Sequence, residues 1–282
     1  MSMLSFSGWN IFGSFANMMK EQGLNLVLNL FFGPIVNAAR GVAVQVNSAI
    51  QNFVANLSVA IRPQVVQSYA QGDIQRTMKL TYSMSKLSCI FLYTLALPIL
   101  LEIDYVLSLW LKNNVPAHTN TFVFIIVLTS FVNNLNAAVS NVVHASGKMK
   151  KYQLSGSFCI LLCIPFAYLA LRLDAAPEWA LLMGLLTMVA AQLVSLAVLK
   201  TIVQYSVRDY IKEVLMPFIY VVITSVWFSL VIHYFMEPSY IRLLFVGFMS
   251  VITSSIAIYV LGLNSTEKSL IKNMVLSKIH KK

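Results

Sequence analysis

Six apolar runs, each about the 20 residues needed to cross a hydrocarbon layer roughly 30 Å thick, fill this chain after residue 80. A water-soluble domain of this length has no interior large enough to hide them. In lipid a backbone amide finds no partner outside its own segment, so each run must be a helix. Two further runs, 7–32 and 38–66, are apolar but striped with amides and charge. The expectation is an all-α polytopic membrane helical bundle of about eight transmembrane helices, near 7–32, 38–66, 80–103, 119–146, 153–173, 178–202, 214–235 and 240–262. The polar stretches left over, 104–119 and 263–282, are too short for a soluble domain. The chain therefore divides into a bundle of about six helices (1–204), two additional helices (205–262) and a basic tail (263–282).

The net charge of +10 would point to nucleic acid in a soluble protein. Its distribution points elsewhere. With the amino terminus cytoplasmic and eight alternating spans, inner loops receive Arg76, Lys79, Lys148, Lys150, Lys151, Lys200, Arg208 and Lys212. The inner tail receives Lys268, Lys272, Lys278, Lys281 and Lys282, while outer loops hold Lys112, Arg172 and Arg242, with Arg40 near a boundary. This is the asymmetry of the positive-inside rule, and it predicts both termini cytoplasmic. The expected partner is membrane lipid, with no nucleic acid. Cys89, Cys159 and Cys163 lie in apolar runs without the further donors that metal ligation needs, so they read as core residues and neither metal nor cofactor is expected.

The polarity retained inside the spans is where function must lie. In the first span Asn10, Ser14, Asn17, Glu21 and Asn25 recur at spacings of four, three, four and four, which is one face of a helix. Lys20 lies about 100° to one side of Glu21. Charges at mid-span cost at least about 2–3 kcal/mol each against lipid, so these must face protein or water. Both a buried Lys–Glu network and the wall of a hydrated cavity satisfy that condition. In the second span Arg40, Asn47, Gln51, Ser58 and Arg62 form one stripe, and Gly41, Gln45, Ser48, Asn52 and Asn56 form another beside it. Arginines at both ends of the first stripe suit an anionic ligand, because guanidinium grips phosphate or carboxylate with paired hydrogen bonds. Arg62 also reads as a topology signal before Pro63. The fourth span adds Asn133, Asn136, Ser140 and His144 on one face, with Asn134 and Asn141 adjacent; His144 fits an interface residue as well as a proton relay. Glu102 and Asp104 read as solvated acids ending the third span. The last four spans, with few polar side chains, read as packing and lipid-contact helices.

No Ser-His-Asp set, paired intramembrane acids, HExxH or phosphate loop occurs, so a polar cavity would serve translocation rather than catalysis. The stretch 33–73, GPIVNAARGVAVQVNSAIQNFVANLSVAIRPQVVQSYAQGD, begins near N-A-A-R-G, continues rich in Gln and Asn, and closes with R-P-x-x-x-x-x-Y-A-x-G-D. It resembles a span and following loop of the polysaccharide flippases, the O-antigen and capsule repeat-unit exporters of the superfamily that includes the MATE drug exporters. The opening SGWNIFGSFANMMKEQGLNLVLNLFFGP is similar to the span that starts the second half of such proteins.

The resemblance implies two pseudo-symmetric lobes of six helices around a central cavity. This chain would supply the second lobe of a MATE-like fold plus two trailing helices, working with an N-terminal lobe encoded upstream or in a partner chain. The implied activity is movement of an undecaprenyl-pyrophosphate-linked oligosaccharide across a bacterial inner membrane for polysaccharide biosynthesis, by alternating access. On that reading Asn17, Asn47 and Gln51 solvate sugars, Arg40 with Arg62 or Lys20 holds the pyrophosphate, and Glu21 binds the coupling proton or Na⁺. A MATE-like cation-coupled exporter of small molecules, an inactive truncated membrane subunit and an enzyme acting on lipid-linked sugars are the alternatives. The last is weakened by the lack of paired acids in outer loops.

Overall fold

A computed structural model describes residues 3–203, 205–264 and 267–269 of the chain. Among them every regular element is helical. Seven continuous helical runs are long and apolar enough to cross a membrane, and the chain is a multi-pass membrane protein. The first run, Met3–Ala70, is interrupted at Gly33, where φ is 75° and ψ is −171°. That conformation is essentially open only to glycine. No neighbouring atom crowds Gly33, so the backbone conformation alone demands it. Pro34 follows at the first position of the next helix, where its missing N–H costs nothing.

As one straight rod, 68 residues would extend about 100 Å, some three times the hydrocarbon thickness. The chain instead reverses at Gly33, since Arg40 reaches back to Asn25 and Glu21. The expected division into two spans therefore holds. They are α1 (3–32) and α2 (34–70), followed by α3 (Ile74–Leu101), the short α4 (Ile103–Trp110) and α5 (Thr119–Ser146). Then come α6 (Met149–Arg172), α7 (Glu178–Lys200), α8 (Val207–Phe235) and α9 (Tyr240–Gly262). Several helices start earlier than hydropathy suggests. Local caps explain two of these starts: Asp73 accepts the Arg76 amide at 2.9 Å before α3, and Ser206 accepts the Asp209 amide at 3.3 Å before α8. α6 breaks at Leu162, because Pro165 has no N–H to donate to the carbonyl of Leu161 four residues earlier.

α2 is the hub. Ala39, Ala43, Ile50 and Val54 are fully buried on one stripe and pack with Leu92 and Ala96 of α3 and Phe122, Val123 and Val127 of α5. Since lipid is as apolar as leucine, close approach rather than hydrophobicity holds such helices together. α1 achieves it against α6 with glycines: a methyl at Gly13 would run into the Gln153 amide, and one at Gly23 into Ile164. Helices α1–α7 form one lobe. α8 and α9 pack on each other and on α3, outside that lobe.

Glu102 overturns one expectation from the sequence. It is 1% exposed rather than solvated. Arg242 donates to its Oε2 from Nη2 at 2.7 Å and Nε at 3.0 Å, and His233 Nδ1 lies 2.9 Å from Oε1. Hydropathy placed this acid correctly at a span end but could not reveal partners 131 and 140 positions later. Asp104 is exposed and accepts from Asn120. All three cysteines are unpaired by disulfides. Most of the basic tail, with Lys272, Lys278, Lys281 and Lys282, lies outside the described residues.

Candidate functional site: a polar cavity enclosed by five helices

The alternation of buried and polar stripes on α2 forces its amides toward a space shared with α1, α5, α6 and α7. That space is a cavity of about 670 Å³. α1 contributes Asn10, Ser14 and Asn17; α2 contributes Asn47, Gln51 and Arg62; α5 contributes Asn133, Asn134, Asn136, Ser140 and His144. A second cavity of about 270 Å³ adjoins it, since both are walled by Asn47, Ser130 and Asn133. Lys20, Glu21 and Arg40 line this second space. All seven site residues expected from the sequence thus fall in two contiguous cavities, Asn17, Asn47, Gln51 and Arg62 in the larger and Lys20, Glu21 and Arg40 beyond it. Ser58 and Asn141 do not line either; Asn141 is buried and donates to the Met84 sulfur at 3.3 Å.

The larger cavity is built to hydrogen-bond. Ser130 donates to Asn47 Oδ1 at 2.8 Å and Asn134 to Gln51 Oε1 at 3.3 Å. Only the oxygens of these two α2 amides are engaged, so among the described residues their NH₂ donors remain for a guest. The Tyr152 hydroxyl donates to Asn136 Oδ1 at 3.1 Å, holding that amide in place. The wall carries Arg62 and His144 and, among the described residues, no carboxylate.

The smaller cavity holds a charge cluster. Lys20 Nζ lies 2.9 Å from Glu21 Oε1, and Arg40 Nη2 pairs with Glu21 Oε2 while its Nη1 binds Asn25. The two cations are nearly buried, whereas the Glu21 side chain is 48% exposed. The Arg40 Nε is buried without a partner. The two sequence readings of this stripe therefore coincide: it is both an ion network and a cavity wall. Across both cavities, among the described residues, three cations face one carboxylate.

Two features were missed from sequence. α6 and α7 are not mere packing helices, because Tyr152, Gln153, Gly156 and Ser157 and, from α7, Ala191 and Ser195 complete the large cavity. Gln153 and Ser157, four apart with Gly156 between, were the available signal, passed over because the span carries few polar residues. The second α2 stripe does not enter the cavity at all. Gly41, Gln45, Ser48, Asn52 and Asn56 are exposed on the outside of the lobe.

No protein-family model, no curated protein and no solved structure matches this chain.

Proposed function

We propose that the chain is one lobe of a flippase that moves an undecaprenyl-pyrophosphate-linked oligosaccharide across a bacterial inner membrane, with both termini cytoplasmic. The observation that carries this reading is the convergence of five helices' amides and hydroxyls on one cavity of about 670 Å³ that adjoins a cationic pocket. Sugars offer dense, neutral donors and acceptors, which Asn47, Gln51, Asn133 and Gln153 complement. A pyrophosphate requires compact positive charge, which Lys20, Arg40 and Arg62 supply. The polyprenyl tail stays in lipid beside the apolar flanks.

Arg40 and Lys20 are already paired with Glu21, and this suggests how transport is coupled. Protonation of the Glu21 carboxylate frees both cations to hold the pyrophosphate. Loss of that proton restores the ion pairs and expels the anion. Proton binding and substrate release are then opposed at one site.

The exposed amide stripe of α2 supports a second lobe in the working transporter. Five polar or backbone-exposing positions on one membrane helix face are costly against lipid and natural against a facing polar bundle. A small-cation exporter fits less well, because among the described residues the cavities hold three cations and Glu21 as their single acid.

The test is export of the lipid-linked glycan in cells carrying the chain and its companion lobe, with Arg40→Ala and Glu21→Gln variants at equal abundance. Export should fall by at least about tenfold in each, Arg40→Ala by losing a charge-assisted contact of about 1.4 kcal/mol or more and Glu21→Gln by losing the carboxylate that expels the anion. Wild-type export from both variants would remove these residues from the site.

A further inference from the structure

Beyond the transport cavity, a third concavity of about 370 Å³ lies at the bundle end where α5 passes into α6 and α7 terminates. Its charged rim is Lys148, Lys150 and Lys151, and its floor is Val198, Thr201 and Ile202. We infer that this concavity is a binding site for the head group of an anionic phospholipid of the surrounding bilayer. The lysine side chains are exposed, and no carboxylate lines the site among the described residues. Gly147, in the left-handed conformation at φ 69°, ends α5 sharply, so α6 restarts at Met149 and sets three lysines on one short turn. Lys148 caps α6 without a side-chain cap bond, so the helix presents unfilled N–H groups and its positive end to the same place. Lys150 also sits 5.9 Å over the Trp9 ring, and Trp is the residue that anchors helices at a membrane interface.

Basic residues that only set topology need no enclosing shape. Here half-buried Val198 and Ile202 line the space beneath the ammonium groups. A ligand with a phosphodiester head and an acyl chain meets both surfaces at once, whereas a soluble phosphate leaves the apolar floor unfilled. Each lysine adds to the attraction for an anionic head group, so three around one concavity favour an anionic lipid over a zwitterionic one. The inference needs only a membrane-spanning bundle and is independent of the flippase reading.

The experiment is native mass spectrometry of the full-length chain in detergent, titrated with phosphatidylglycerol, phosphatidylcholine or inorganic phosphate. Phosphatidylglycerol should stay bound where phosphatidylcholine does not. The Lys148→Gln/Lys150→Gln/Lys151→Gln variant should weaken its apparent Kd by at least about tenfold. Val198→Trp, which fills the floor without touching charge, should weaken it as well. Arg76→Gln/Lys79→Gln removes two exposed charges elsewhere and should leave it unchanged. The site is refuted if the triple variant holds the lipid as the wild type does, if the Arg76/Lys79 variant loses it equally, or if inorganic phosphate displaces it.

Discussion

The two halves of this bundle handle polar groups in opposite ways. In the trailing pair, α8 and α9, most intramembrane polarity is consumed by the protein, with the buried Ser254 hydroxyl an exception. Ser229 and Ser250 bond each other at 2.8 Å, Tyr93 meets Ser225 at 3.0 Å, and Glu102 is closed by Arg242 and His233. In the lobe formed by α1, α2, α5, α6 and α7, comparable groups are left with donors facing open space. Polarity inside a membrane protein is thus a clasp when it is satisfied and a conduit when it is not. The number of polar residues does not separate the two cases; their pairing does.

The sharpest way to break this contrast is at the clasp. Glu102→Leu should strand Arg242 as an uncompensated buried charge and lower stability by about 3–5 kcal/mol, read as a drop in thermal midpoint in detergent. Glu102→Leu with Arg242→Met should recover much of that loss. If the single variant melts like the wild type, the trailing pair is not held as described.

A smaller effect is expected where the segment after α9 meets the lobe. Lys86 is fully buried, and its Nζ donates to Glu267 Oε2 at 2.7 Å while Ser83 donates to Oε1 at 2.7 Å. Burial pushes the Glu267 carboxyl upward, but Lys86, Ser83 and the Asn264 amide outweigh it and hold it below the usual carboxylate range. A lowered folded-state value means the contribution to stability is present above the ordinary carboxylate range and lost as pH falls through the folded value. Wild type should therefore lose thermal stability on acidification more than Glu267→Gln, which already lacks the pair. Parallel pH profiles for the two proteins would sink this assignment.

The smallest effect on stability, and the most informative about the conduit, concerns the cavity wall. Gln51→Ala and Asn133→Ala should change stability by no more than about 0.5 kcal/mol, because Asn134, which loses the long bond to Gln51, still donates to the Ser130 carbonyl at 2.9 Å. In the same background, Cys introduced at Gln51 should react with a water-soluble maleimide, while Cys introduced at Ser229 should not. Equal protection of both would mean the cavity is dry and the contrast between the halves is wrong.

Much of this was legible in the sequence, and the reasons are specific. The apolar runs gave the spans because the bilayer imposes one length and one backbone solution. Gly33-Pro34 marked the reversal because few other pairs can end one helix and begin another there. The periodicities of Asn10 to Asn25 and Arg40 to Arg62 exposed two cavity walls, since helical spacing alone puts those residues on common faces. Glu102 was misjudged because its partners are remote in sequence, and the roles of Gln153 and Ser157 were hidden because a face with few polar residues reads as packing.

Sequence by itself therefore determined that the protein is a bundle of membrane helices and which side chains each helix would keep from lipid. Both follow from local terms: length, hydropathy and the 100° step of the helix. Tertiary structure alone decided which of those polar faces meet one another and which are left facing space. It joined Arg40 to Glu21, closed Glu102 with Arg242, and turned the Gln45–Asn56 stripe outward. Such outcomes depend on how helices are rotated against their neighbours, and no repeat within a single helix encodes that rotation.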